Sequence, residues 1–95
     1  MVKVDLDKLK QVKLNQLKSY VVTLLAPTDY IVIKIAEAQM QNDTAEVEAL
    51  KQKYSVQLQQ RETIRQWNEQ MKQAINNAQS LDELSSIAIR FGKMG

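Results

Sequence analysis

Apolar residues recur along this chain at helical intervals. Leu6, Leu9, Leu14, Leu17, Val21 and Leu24 lie on roughly one stripe, and the steps from Leu14 to Leu24 are three, four and three. That spacing predicts an amphipathic helix with a heptad-like seam over residues 6–25. Asp5 or Asp7 caps its start. Pro27 ends it by removing a donor and pushing Ala26 out of the helical region. Beyond the proline, Ile31-Val32-Ile33-Lys34-Ile35 holds four β-branched residues in five, a composition that suits a strand. Thr28 is nevertheless a good N-cap, Asp29 suits a first turn, and the run passes into Ala36–Gln41 without a turn signal. A lone strand here would lack a ladder partner unless it paired between subunits. Helix is therefore the expectation over 28–41, with Ile31, Ile35 and Ala38 inward and Val32 flanking.

Asp43 and Glu46 have the form of a capping box, and no glycine or proline interrupts residues 44–78. Val47, Leu50, Tyr54 and Leu58, then Ile64, Trp67, Met71, Ile75 and Ala78, continue the helical period. A straight helix of that length reaches about 50 Å at 1.5 Å per residue. A compact chain of this size has a radius of gyration near 12 Å, on the order of one quarter of that length. Only Leu58 is apolar between Tyr54 and Ile64. The segment is therefore expected either to be one rod needing a partner chain or to bend near Gln59–Arg61 and fold back. Ser80 with Glu83 is a full capping box, Leu84, Ile87, Ala88 and Phe91 share a face, and Gly92 is placed as a C-cap. These signals predict a helix over 81–91. The expected fold is a single all-α domain over 1–95 with three or four helices, as a bundle or a coiled-coil-like oligomer.

Composition narrows the function. The 95 residues include no cysteine and no histidine, with two glycines and one proline. Disulfides, thiol nucleophiles, imidazole bases and nearly every zinc site are thereby removed, and no cofactor is expected. Glu46 with Glu48, and Asp82 with Glu83, point apart on a helix and read as first-turn acids rather than an acid–base pair. There is no glycine-rich phosphate loop, and no apolar run reaches the ~20 residues of a membrane span. An enzyme is not expected.

Thirteen basic and eleven acidic residues give a net charge of +2, unevenly spread: +3 over residues 1–26, −2 over 27–43 and +1 over 44–79. The lysines of the first helix read as a solvated face, with nucleic-acid binding through them and through Arg61 and Arg65 as the alternative. Those two arginines share a face beside Trp67. They could grip a phosphate or a partner's carboxylates, but pairing with Glu62, Glu69 or a distant acid, with Trp67 supplying core area, is the expectation.

The stretch APTDYIVIKIAEAQ, followed by RETIRQW, resembles a recurring segment of small tailed-bacteriophage proteins, the tail-fibre assembly proteins and related tail-region products. Their pattern is L-x-x-TD-(W/Y)-x-V-x-(R/K)-x-x-E, then a spacer and R-x-x-x-R. Here the matching residues are Leu25, Thr28, Asp29, Tyr30, Val32, Lys34 and Glu37, then Arg61 and Arg65. Helix-forming sequence of about twenty residues replaces the family's short Gly-Pro spacer. The resemblance implies a phage or prophage origin, action in the host cytoplasm or the virion, and no catalytic residues.

The combined expectation is a non-enzymatic helical protein–protein interaction protein, a tail or virion assembly factor or small structural component. A stable bundle acting on a host protein, for example as an inhibitor, is a further reading. With no disulfide or metal to assist so small a chain, the first and third helices are expected to bury their seams in a homo-oligomer or on a phage protein. The candidate interface comprises Leu14, Leu17, Val21, Leu24, Tyr30, Tyr54, Leu58, Arg61, Arg65 and Trp67. Tyr30 is expected to pack back on the first helix and set the angle of the corner after Pro27.

Overall fold

A computed structural model of the chain describes residues 5–91. It is all-α, with no strand among the described residues. Helix α1, Leu6–Leu25, begins where the Asp5 carboxylate accepts hydrogen bonds from the backbone N–H groups of Asp7 (3.0 Å) and Lys8 (3.3 Å). Two of the orphan donors of the first turn are thereby satisfied. It ends at Leu25 as expected, but Ala26 is not pushed out of the helical region by Pro27. Ala26 stays helical (φ −53°, ψ −45°), and the chain tightens into a single 3-10 turn, Ala26–Thr28, before breaking at Thr28 (φ −112°, ψ 4°). Proline sits at the start of that short turn, where no donor is required of it, so the break comes one residue after it rather than one before.

Helix α2, Asp29–Met40, contains the whole β-branched run. Thr28 does not cap it through its side chain. Its hydroxyl instead donates to the carbonyl of Leu25 (3.1 Å). At the far end, Asn42 takes a left-handed conformation (φ 56°). The Asn42 N–H donates to the Gln39 carbonyl (3.0 Å) and the Asp43 N–H to the Ala38 carbonyl (2.9 Å). These are the two bonds of a Schellman ending, with asparagine where glycine is commoner. Asp43 then caps α3, Thr44–Lys53, by accepting from the Glu46 N–H (3.0 Å). One residue thus closes one helix and opens the next. Asn42→Val is expected to lose about 1–2 kcal/mol, because a β-branched residue resists the left-handed region, whereas Asn42→Gly should hold or raise the melting temperature. Thermal unfolding followed by circular dichroism checks both.

The third predicted helix is divided, but not near Gln59–Arg61. It breaks at Tyr54 (φ −109°, ψ 26°), and α4 runs on as Ser55–Asn77. The ladder continues across the break, since the Tyr54 N–H reaches the Leu50 carbonyl and the Leu58 N–H reaches the Tyr54 carbonyl. Tyr54 lies opposite the break in the first arm, with its ring edge-on to Tyr30 (centroids 5.8 Å apart, 88°). Tyr30 therefore packs on the second arm and not back on α1 as expected. Polar Gln59–Arg61 continue as helix, with Arg61 turned to acceptors on the facing arm.

The result is an interrupted antiparallel hairpin. Lys10 near one end of α1 donates to the Asn76 carbonyl near the end of α4 (2.9 Å), while Arg61 early in α4 donates to Leu25 at the end of α1. Helix α2 and helix α3 form the tip. The molecule measures 64 × 31 × 19 Å with a radius of gyration of 18.0 Å, well above the roughly 12 Å of a compact chain of this length. Its main core lies in the α1–α4 body, where Leu17, Val21, Ile64, Ile75, Ala78 and Leu84 are buried together.

One flank of that body is covered by the C-terminal segment. Ser80 caps α5, Leu81–Ser85, by accepting from the Glu83 N–H (3.1 Å), and the Glu83 carboxylate accepts from the Gln79 N–H (2.6 Å). The helix was expected to reach residue 91 but stops at Ser85. The Ser85 and Ser86 hydroxyls donate to the carbonyls of Asp82 (3.2 Å) and Glu83 (2.7 Å), a local alternative to further helix. Beyond it burial alternates: Ile87, Ile89 and Phe91 are half-buried on the core, whereas Ala88 and Arg90 are exposed. That is a period of two and not the helical face expected of Leu84, Ile87, Ala88 and Phe91. The proposed C-cap Gly92 lies outside the described residues.

Candidate functional site

The two arms meet at a corner built around one arginine. Arg61 is buried at 7% exposure. Its Nη1 donates to the Leu25 carbonyl (3.1 Å), the Thr28 hydroxyl (2.8 Å) and an Asp29 carboxylate oxygen (3.0 Å). That nitrogen carries two protons and serves three acceptors, so at least one proton is shared. The Asp29 side chain is 55% exposed, so part of its charge faces water. No buried side-chain polar atom among the described residues is left without a partner. Of the residues in the segment that resembles phage proteins, Leu25, Thr28, Asp29 and Arg61 therefore form one bonded cluster across 36 positions of sequence. The cluster fixes where α2 leaves α1. Its Nη1 has no capacity left for a phosphate or a partner's carboxylate, and the expected pairing with a distant acid is what occurs.

The remaining candidate interface residues separate into two groups. Leu17 and Val21 are buried in the core of the α1–α4 body, with Leu14, Leu24 and Trp67 partly buried against it. Within this chain the seam of α1 is thus covered by α4. Trp67 stands between Tyr20 (5.8 Å, 63°) and Phe91 (5.4 Å, 72°) in an edge-to-face row, and the Tyr20 hydroxyl accepts from the Phe91 N–H (3.2 Å). Tyr54 and Leu58 are half-buried at the corner, while Tyr30 and Arg65 are exposed.

The exposed apolar surface concentrates on α2. Tyr30, Val32, Ile33 and Met40 are all exposed, with Ile33 at 58% and Met40 at 83%. Ile31 and Ala38 are buried on the opposite side. Ile33, Ala36 and Met40 are spaced three and four apart, so they share one outward row with Glu37 beside it. Helix α2 carries apolar residues on every side, with Asp29, Lys34, Glu37 and Gln39 set among them, and the side of Ile33 and Met40 has no cover in the single chain. Ile31, Ile35 and Ala38 marked only the inner face; the outward row was readable in the same twelve residues from the spacing of Ile33, Ala36 and Met40.

Beside that row, a groove of about 250 Å³ is lined by Val32, Ile35, Ala36 and Gln39 of α2 and by Leu58, Arg61 and Arg65 of α4. A second, of about 480 Å³, lies between α1 and α4, with Leu14, Leu17, Val21 and Val22 along its apolar side and Lys18, Lys72 and amide side chains completing it. Lys10 spends one of its three donors on the Asn76 carbonyl, and Arg61 is held in the corner cluster. Comparisons with protein-family models, curated proteins and solved structures give no match to this chain.

Proposed function

We propose that this chain is a non-enzymatic helical interaction protein whose recognition element is the outward row of α2. The observation that carries the reading is the exposed apolar row of α2, with Ile33 and Met40 among its most exposed side chains. A helix of that kind gains by laying its free row into an apolar groove of another polypeptide. The Arg61 cluster supports the reading by holding α2 at a fixed exit from α1, so that the row is presented without an ordering cost at the corner. The resemblance to phage tail-fibre assembly and tail-region proteins supplies the setting: a tail or virion assembly factor or small structural component, working in the host cytoplasm or in the virion.

Co-expression with the tail-fibre or baseplate protein encoded beside it tests this directly. The two are expected to co-purify, and the double variant Ile33→Asp with Met40→Asp is expected to lose the complex while keeping the helical circular dichroism of the parent. A complex that survives the double variant would remove α2 as the recognition element.

A further inference from the structure

The two grooves beside the arms lie along a single edge of α4. Leu58, Arg61, Arg65, Asn68, Lys72 and Asn76 follow one another at steps of three or four, which places them in one row of that helix. The first three line the groove against α2, and the last three line the groove against α1. Both grooves therefore open on the same side of the molecule, away from the flank that α5 and residues 87–91 cover. Ala36 belongs both to the α2 groove wall and to the outward row of Ile33 and Met40, so that row borders the same side.

The charges of the two ends are opposite. Along the tip, residues 29–53, Lys34, Lys51 and Lys53 stand against Asp29, Glu37, Asp43, Glu46 and Glu48, for −2. Along α1, Lys8, Lys10, Lys13 and Lys18 stand against Asp7, for +3. The groove between α1 and α4 is lined by Lys18 and Lys72 and, among the described residues, by no carboxylate. Lys72 has a neighbour in Glu69 at 3.3 Å, but both side chains are about half exposed or more, so that pair is open to exchange. The molecule thus carries an apolar row with an acidic neighbour at one end, and an apolar groove with a cationic rim in its body.

From this complementarity we infer that the α1–α4 groove is the docking site for α2 of a second copy of this chain. Resting on the proposed role of α2, the inference names its partner. The row of Ile33 and Met40 lies along Leu14, Val21 and Val22 of the other copy, with Glu37 facing the Lys18 and Lys72 rim. Because ridge and groove border the same side of an elongated molecule, two copies related by a two-fold axis make the contact twice and close the assembly. Each groove then gains the third helix that α5 and the C-terminal segment supply only on the opposite flank.

Complementation between two surface variants tests this with full-length chains. Ile33→Asp breaks the ridge and Val22→Asp breaks the groove; both positions are exposed, so both variants should retain parental helicity. By sedimentation equilibrium the parent should be dimeric, its association weakening as salt rises. Each variant alone should associate on the order of 100-fold more weakly, since both contacts of its homodimer are damaged. Mixed together they should form a mixed dimer, seen by native mass spectrometry, in excess of either homodimer, because one of its two contacts is intact on both sides. A strictly monomeric parent would overturn the inference, and so would variants that fail to complement or a Val22→Asp variant that dimerises like the parent, the outcome expected if α2 packs on α2. Either result leaves the α2 recognition reading standing, because that reading is decided by the co-purification experiment and not by self-association.

Discussion

Replacing Leu17 by aspartate is expected to abolish cooperative folding. Leu17 is 1% exposed and lies in the core with Val21, Ile64, Ile75, Ala78 and Leu84. Truncation to alanine would already remove about 2–5 kcal/mol through lost transfer energy and the cavity left behind. A carboxylate adds the cost of desolvating a charge with no partner, and the sum approaches the ~5–15 kcal/mol that holds a domain of this size together. The expected readout is loss of the thermal transition, and with it loss of the edge-to-face row around Trp67, seen as a red-shifted tryptophan emission. Retention of the parental melting temperature would show that Leu17 does not face α4.

The second large effect is expected at Arg61. Arg61→Ala leaves the Leu25 carbonyl, the Thr28 hydroxyl and the Asp29 carboxylate without their shared donor, and removes a buried guanidinium stem from the corner. Breaking a fully buried pair costs about 3–5 kcal/mol, and the exposure of Asp29 discounts that to about 2–4. Arg61→Lys should recover part of the loss, because an ammonium has three protons for the same three acceptors, though on a different stem. Asp29→Asn should cost less than about 1 kcal/mol, since two of the three bonds persist and the carboxylate is half solvated. Urea unfolding of the three variants orders them. An Arg61→Ala variant as stable as Asp29→Asn would mean the corner is held by α1–α4 packing alone.

How far the residues announced these features depends on whether each was a local or a long-range matter. Helix α1 ran from Leu6 to Leu25 as its stripe indicated, because Asp5 and Pro27 act within a turn of where they stand. The same holds for the Asp43 and Ser80 caps. The division of the third helix at Tyr54 was not visible, because nothing in its own neighbourhood breaks a helix. It is bent where the opposite arm is bent, and only the pairing of Tyr54 with Tyr30 reveals that. The short α5 has a similar cause: Phe91 is drawn to Trp67 and Tyr20, and the alternation of Ile87 and Ile89 that follows was present in the sequence but outweighed by the capping box. Thr28 looked like a cap because its type and position after a proline suit one; its hydroxyl was instead taken by Leu25 and Arg61.

The candidate site divides along the same line. Pairing of Arg61 with an acid elsewhere was expected, but Asp29, 32 positions away, could not be singled out by spacing. The seam of Leu14, Leu17, Val21 and Leu24 was readable as a seam, while its cover was not: α4 of the same chain supplies it once the hairpin closes. What remains uncovered is the outer side of α2, whose row of Ile33, Ala36 and Met40 was present in the sequence at helical spacing.

Thermal unfolding of the Ile33→Asp, Met40→Asp double variant, in dilute solution where association is negligible, bears most directly on whether that row faces outward for recognition. An unfolding free energy within about 1 kcal/mol of the parent is expected, as befits two exposed positions. A destabilisation on the scale of Leu17→Ala would instead place Ile33 and Met40 in a core of the single chain, and α2 would have no free face to offer.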